Sequence, residues 1–293
     1  MGALTGKVAV VTGASRGIGK GIALALAADG ATVYVTGRTV ARGAHPLPGT
    51  VGDTAAECDR RGGTGVAVQV DHADDAQVAR LFERIEAEHG RLDVLVNNAF
   101  ALPDDLTDPE PFWEKPLGNW EMVDVGVRSN FVAARHAARI MAPRGSGLIT
   151  AISGYTGVAY TYGVVFGTAK SAVDRMARDM AVELAPHNVA SISLWPGLTF
   201  TERAERNLAQ ITGLDGQAAT RPQDGCSPEF PGRVIAALAS DPDVMRRSGG
   251  TFITAELARE YGVTDIDGRT IPSLRAERGA PIWRPIRETR DGS

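Results

Sequence analysis

The sequence predicts an α/β fold, a doubly wound parallel sheet of about seven strands with helices on both faces. Three observations predict it. Short β-branched runs alternate with Ala- and Leu-rich helical stretches through most of the 293 residues. No shift of composition interrupts the alternation, and no internal repeat is present. The first strand also runs straight into a glycine-rich turn followed by a helix. Strict alternation requires parallel strands joined by right-handed crossovers.

Hydrophobic periodicity places strands near 7–12, 31–37, 65–71, 92–97, 147–153, 189–195 and 250–254. Helices are expected near 17–29, 50–61, 74–89, 118–141, 165–186, 203–210 and 230–240. Three stretches depart from the alternation. Thr39–Gly49 is a loop with Pro46 and Pro48. Phe100–Gly118 is another, with four prolines, Phe112 and Trp113. Loops of such length in a compact domain are usually functional or mobile. The stretch after Tyr261 has little periodicity, and Trp283, Pro272, Pro281 and Pro285 suggest a tail that wraps on the surface or on a neighbouring subunit.

Thr12-Gly13-Ala14-Ser15-Arg16-Gly17-Ile18-Gly19 sits where the first strand, Lys7–Val11, becomes a helix. Glycine lets the backbone turn tightly and lets a bulky phosphate come close. The helix start offers unpaired N–H groups and the positive end of its dipole. Such a turn suits a pyrophosphate. A plain tight turn is the alternative, but the flanking strand and helix stand where a phosphate site needs them. A second β-branched strand follows Asp29-Gly30, and it ends at Arg38, about 20 residues past the glycines, where a dinucleotide fingerprint places its ribose reader.

Hydrophobic residues make up 43% and charged residues 23%, an ordinary globular composition. The net charge of −4 argues against a general nucleic-acid role. Cys58 and Cys226 stand far apart without metal-like spacing, as expected of unpaired thiols in a cytoplasmic protein. No signal-peptide pattern opens the chain, and no apolar run approaches the roughly 20 residues that span a membrane.

Several motifs together resemble the short-chain dehydrogenase/reductase family over about residues 5–255. They are the spacing of Gly13, Gly17 and Gly19; Asp71 at the end of the third strand; Asn97-Asn98-Ala99 at the end of the fourth; and Pro196-Gly197 at the end of the sixth, with Thr199 and Thr201 behind it. Phe100 stands where the family motif closes with glycine. Asn97–Ala101, Phe112-Trp113-Glu114, Ser193–Gly197, Leu257–Gly262 and Asp267-Gly268-Arg269 look like one branch, the dehydrogenase/reductase member 1-like proteins.

The resemblance implies a Rossmann-type nucleotide-binding domain over 1–263, including the substrate loop, and a C-terminal extension over 264–293. It implies cofactor contacts at Gly13, Ser15, Arg16, Gly17, Ile18, Gly19, Arg38, Asp71, Asn97, Ala99, Lys170, Pro196, Gly197 and Thr199. An acid ending the second strand would hold a ribose 2′-hydroxyl and repel a 2′-phosphate. Here Thr36-Gly37-Arg38 carries none, and Arg38 with Arg16 could serve a 2′-phosphate, so NADP(H) is preferred and NAD(H) is possible. The plainer readings are a solvated Arg38, an Arg16 common to both preferences, and an Asp71 that caps the next helix.

Carbonyl reduction in the family uses a Ser, a Tyr and a Lys four residues after the Tyr. A Tyr with a pKa of about 10 needs a nearby cation to exchange a proton near neutrality. Ser153 and Lys170 are in register, but the Tyr position holds Phe166, which has no proton to give. The fifth-helix Asn of many members is also missing; Gly126 stands there, and the role does not transfer to Asn130. Tyr155, Tyr160 and Tyr162 lie between Ser153 and Lys170 as substitute proton sources, with a water chain to Lys170 as a further route.

The leading expectation is an oxidoreductase acting on a small hydrophobic carbonyl or alcohol. Its rival is an impaired or non-catalytic nucleotide-binding sensor or scaffold. Phe166 could also be an introduced substitution or a natural loss, and a purely structural role is weaker still. Phe100, Trp113, Tyr155, Tyr162, Trp195 and the 199–225 segment are the expected substrate walls. The stripe Ala169, Val173, Met176, Ala177, Met180 and Leu184 faces either the sheet or a second subunit, and the resemblance implies a homodimer or homotetramer.

Overall fold

The computed structural model describes residues 2–206 and 224–286. Its strands are β1 Val8–Val11, β2 Thr32–Gly37, β3 Thr64–Gln69, β4 Val94–Asn97, β5 Gly147–Ile152, β6 Val189–Trp195 and β7 Thr251–Ile253. They form one parallel sheet in the order β3-β2-β1-β4-β5-β6-β7. The chain winds outward from β1 to β3, returns to β4, and winds out the other way. The switch point between β1 and β4 is where such sheets open a crevice at their carboxyl edge.

The helices are α1 Gly17–Ala28, α2 Val51–Arg60, α3 Asp75–His89, α4 Glu121–Val123, α5 Ser129–Arg144, α6 Val164–Leu184, α7 Glu202–Arg206, α8 Phe230–Ser240, α9 Thr254–Tyr261 and α10 Arg275–Arg278. They bury two cores, one on each face of the sheet. Along β1, Ala9 and Val11 join Ile22, Leu26 and Val234 on one side, while Val8 and Val10 join Leu81, Phe82 and Met141 on the other. A strand covered on both faces needs a continuous apolar run, which is what Val8–Val11 supplies.

The single helix expected over 118–141 is broken. A 3-10 turn over Leu117–Trp120 leads into α4, a π-turn over Asp124–Arg128 follows, and α5 completes it. Gly126 lies in the π-turn, and the Phe100 ring packs on its bare backbone. Such bulges often mark functional places. The helix expected over 203–210 is described as α7; residues 207–210 lie outside the described residues. α9 and α10 were not expected.

The tail wraps on its own chain. Thr251 N donates to Trp283 O and Ile286 N to Ser248 O, both at 2.9 Å. Ile271 and Ile286 are buried, so the tail covers the outer edge of β7. The α6 stripe also serves its own chain: Ala169, Val173, Ala177 and Leu184 are buried, and Met180 packs against the core on the α3 side. Cys58 and Cys226 are free and buried. Among the described residues no helix is long and apolar enough to cross a membrane, and no group of side chains could hold a metal ion.

Candidate active site

The turn after β1 is shaped by two constraints. Gly17 has φ +58°, a left-handed conformation that side chains resist. At Gly19 a Cβ would collide with the Gly13 carbonyl and the Asn98 amide. Asn98 staples this turn to the end of β4. Its Nδ2 donates to Thr12 O at 2.9 Å and Gly13 O at 3.1 Å, and the amides of Asn98 and Ala99 both donate to Thr12 Oγ1 at 2.9 Å. At the start of α1 the Gly17 amide donates to Glu202 Oε2 at 3.0 Å.

A cavity of about 760 Å³ opens over the switch point. Its wall contains Gly13, Ser15, Arg16, Gly17, Ile18, Gly19, Arg38, Asp71, Ala99, Ser153, Phe166, Lys170, Pro196, Gly197 and Thr199. Asn97 is outside it: its side chain is buried and donates to Asn130 O at 3.0 Å, bracing β4 against α5. Asn98 lines the wall in its stead. Of the expected substrate walls, Phe100, Tyr155 and Tyr162 line the cavity. Trp113 is 69% exposed and Trp195 fully buried, and neither does. Leu274 and Arg278 from the tail also line it.

At the β2 end Arg38 is exposed on the wall. The Arg16 guanidinium is engaged elsewhere. It donates to Pro48 O at 3.0 Å, Thr39 Oγ1 at 3.1 Å and Gly49 O at 2.9 Å, which fastens the loop over 39–49. Burial, then the charge of Arg16, holds His45 below the usual imidazole range, with Arg203 and Arg38 acting the same way. The guanidinium groups of Arg16, Arg203 and Arg38 thus all stand close enough to act on His45. Asp71 is not the cap of α3; Asp74 accepts from Ala76 N and Gln77 N, while Asp71 Oδ1 accepts from Ala73 N at 3.0 Å. His72 Nε2 pairs with Thr36 Oγ1 at 2.9 Å, and its buried Nδ1 has no hydrogen-bond partner among the described residues. Burial pushes that imidazole down to about 4, so it is neutral. A bare glycine cradle and an orphaned ring nitrogen on the same wall fit a nucleotide with two linked phosphates.

At the β5 end Ser153 Oγ donates to Lys170 O at 3.1 Å, and Lys170 Nζ donates to Ile152 O at 3.1 Å. Burial pushes the Lys170 ammonium down to about 8, with Asp174 opposing the shift. Asp174 accepts from Ser193 Oγ at 2.6 Å and from Trp195 Nε1 at 3.1 Å; burial raises its carboxyl, and these hydrogen bonds and Lys170 resist. Phe166 occupies the Tyr position with its ring edge-on to Phe100 at 5.3 Å and to Tyr162 at 5.2 Å between centroids. The Tyr155 hydroxyl accepts Leu274 N at 3.2 Å, and burial pushes it up to about 12. Tyr160 is 83% exposed and lies outside the wall. Among the three candidate tyrosines, Tyr162 is the one edge-on to Phe166 in the cavity.

The short chain dehydrogenase family model matches residues 7–211. The chain belongs to the short-chain dehydrogenase/reductase family. It is 42% identical over 276 residues to "Dehydrogenase/reductase SDR family member 1" of Mus musculus, covering 92% of this chain and 86% of that protein. The human protein of the same name is 40% identical over the same shares. These relatives place it in the dehydrogenase/reductase member 1-like branch. A short chain dehydrogenase from Mycobacterium thermoresistibile superposes with a TM-score of 0.75 at 27% identity, over 96% of this chain and 95% of that one. Oxidoreductase chemistry and nucleotide binding are the family's properties, and this short-chain dehydrogenase/reductase carries the Rossmann-type fold for them. Sequence reading passed over Asn98, His72, Glu202 and Arg278. Asn98 stood in the quoted motif; the other three left no signal in spacing.

Proposed function

We propose that this protein is an NADP(H)-dependent oxidoreductase of small hydrophobic carbonyls or alcohols, with NAD(H) as a weaker alternative. One observation carries the reading: Ser153 and Lys170 meet in the cavity whose other end is the glycine turn. The bound nicotinamide would supply or accept a hydride. The amides of the turn offer donors to two phosphates, and the exposed Arg38 guanidinium at the end of β2 favours a 2′-phosphate. Ser153 presents a hydroxyl to the substrate oxygen. Lys170 keeps a positive charge at neutral pH beside the reacting centre. Phe166 gives no proton, so Tyr162 or water next to Lys170 must do so. Loss of a general acid typically costs 10²–10⁴-fold, so turnover is slow rather than abolished.

A second reading, nucleotide binding without turnover, is favoured by Phe166 and Gly126 together. The remaining assignments go with the first reading: a domain over 1–263 with an extension over 264–293, a cytoplasmic location, and a homodimer or homotetramer. The test is a fluorescence titration with NADPH and NADH, then a turnover screen of aldehydes, ketones and alcohols beside Phe166→Tyr. Tighter NADPH binding and slow native turnover, raised about 10²-fold or more in the variant, are expected. Turnover in the variant alone leaves the second reading. No binding of either nucleotide defeats both.

A further inference from the structure

Two departures from the family motifs, Phe100 in place of Gly and Gly126 in place of Asn, touch each other. Phe100 follows β4, and Gly126 lies in the π-turn before α5. A Cβ at Gly126 would clash with the Cε2–Cδ2 edge of the Phe100 ring, with Phe100 Cζ 3.1 Å away. The ring seated there turns its face to Lys170, whose Nζ lies 4.0 Å from its centroid. The Phe166 ring forms a second side, with its centroid 5.6 Å from the same nitrogen. The negative face of a desolvated ring attracts an ammonium, and the attraction strengthens as water is excluded. Lys170 is buried, 7% exposed; its ammonium donates to Ile152 O, and Asp174, one turn further along α6, is the charged group that acts on it beside these rings.

We propose that Phe100 is a positioning residue: packed on the bare Gly126, its ring face holds the Lys170 ammonium in place and in its charged form. Gly126 is thus the space the ring needs. A side chain there would tilt the ring off the cation. The proposal rests on reading Lys170 as the cation of the nicotinamide site, and its test needs no nucleotide.

The chain has four lysines, Lys7, Lys20, Lys115 and Lys170, so side-chain NMR of protein carrying ¹³Cε-lysine gives few signals, and Lys170→Met assigns the one required. Each variant is titrated without nucleotide, with melting followed in parallel. In Phe100→Leu, apolar but without a π-face, the Lys170 midpoint should fall by about one pH unit, while Phe100→Tyr keeps it. Gly126→Ala, which displaces the ring by a different route, should lower it as well. A merely structural Phe100 would change melting and leave the midpoint where it was. An unchanged midpoint in Phe100→Leu and Gly126→Ala overturns the proposal, and so does a rise, which would mean the ring acts only by excluding water. Failure of NADPH to bind would instead defeat the functional reading and leave the titration result intact.

Discussion

The Glu202 carboxylate sits on the Gly17 amide, 3.0 Å away, at the amino end of α1. A helix start binds anions through its free amides and its dipole, so Glu202 occupies the place of a phosphate oxygen. A pyrophosphate entering the glycine turn must move it, and with it α7. Glu202→Ala should therefore tighten NADPH binding about tenfold, the scale of one charge-assisted hydrogen bond. Fluorescence titration reads this directly. Equal affinity in the two proteins would mean the carboxylate does not compete.

Arg38 governs a second outcome. Among the described residues it is the cation on the wall at the end of β2 without a bond to the neighbouring loop, whereas Arg16 is tied to Pro48, Thr39 and Gly49. In Arg38→Asp the charge at that position reverses, and an acid there prefers a ribose hydroxyl. NADPH affinity should drop by at least about tenfold and NADH affinity should hold or rise. Parallel loss of both nucleotides would show that Arg38 supports the turn and does not select the ribose.

These two residues mark the limits of what the sequence tells. The glycine turn, Ser153, Lys170 and all seven strands were legible because each rests on local pattern: β-branched runs, glycine spacing, and a helix period that fixes Phe166 against Lys170. Asn97 was misplaced because two adjacent asparagines look alike in sequence. Only the pleat of β4 decides that Asn97 turns inward to Asn130 while Asn98 braces the turn. Arg16 looked available because its partners are backbone carbonyls 32 and 33 residues away, which no spacing reveals. Glu202 lay just outside the helix expected over 203–210 and drew no reading. Its contact with Gly17 spans 185 residues. The contact between Gly126, in the π-turn over Asp124–Arg128, and the Phe100 ring was hidden for the same reason, since it joins residues far apart in sequence.

Lys170 ties stability to pH. Its pKa is pushed from 10.5 down to about 8 in the folded chain, chiefly by burial. Below about pH 8 both folded and unfolded chains carry the charge, and folding bears the full cost of burying it. Between about 8 and 10.5 the unfolded chain binds more protons, so stability from this residue rises with pH. The penalty is on the order of 3 kcal/mol at neutral pH. Lys170→Met should accordingly raise the melting temperature at pH 7 and gain much less at pH 10. Denaturant unfolding at the two pH values tests this, and an equal gain at both would rule out charge burial as the cause.

The tail over 264–286 is tied down more firmly than its sequence suggests. Ile271 and Ile286 are buried, and full burial of such a side chain contributes about 1.5–3 kcal/mol. Trp283 O takes the Thr251 amide, which closes the outer edge of β7, and the Trp283 ring lies 5.4 Å from the Arg175 guanidinium. Asp265 accepts Ser227 N at 2.8 Å, and Arg275 pairs with Glu256. The Leu274 amide meets the Tyr155 hydroxyl at the cavity wall. A chain ending at Val263 should lose on the order of 5 kcal/mol and melt about 10–20 °C lower. Ile271→Ser removes one anchor and leaves the wall residues Leu274 and Arg278 present, so it should cost about 2–3 kcal/mol with NADPH affinity unchanged. A truncated chain that melts with the full-length protein would show that residues 1–263 fold without support from the tail.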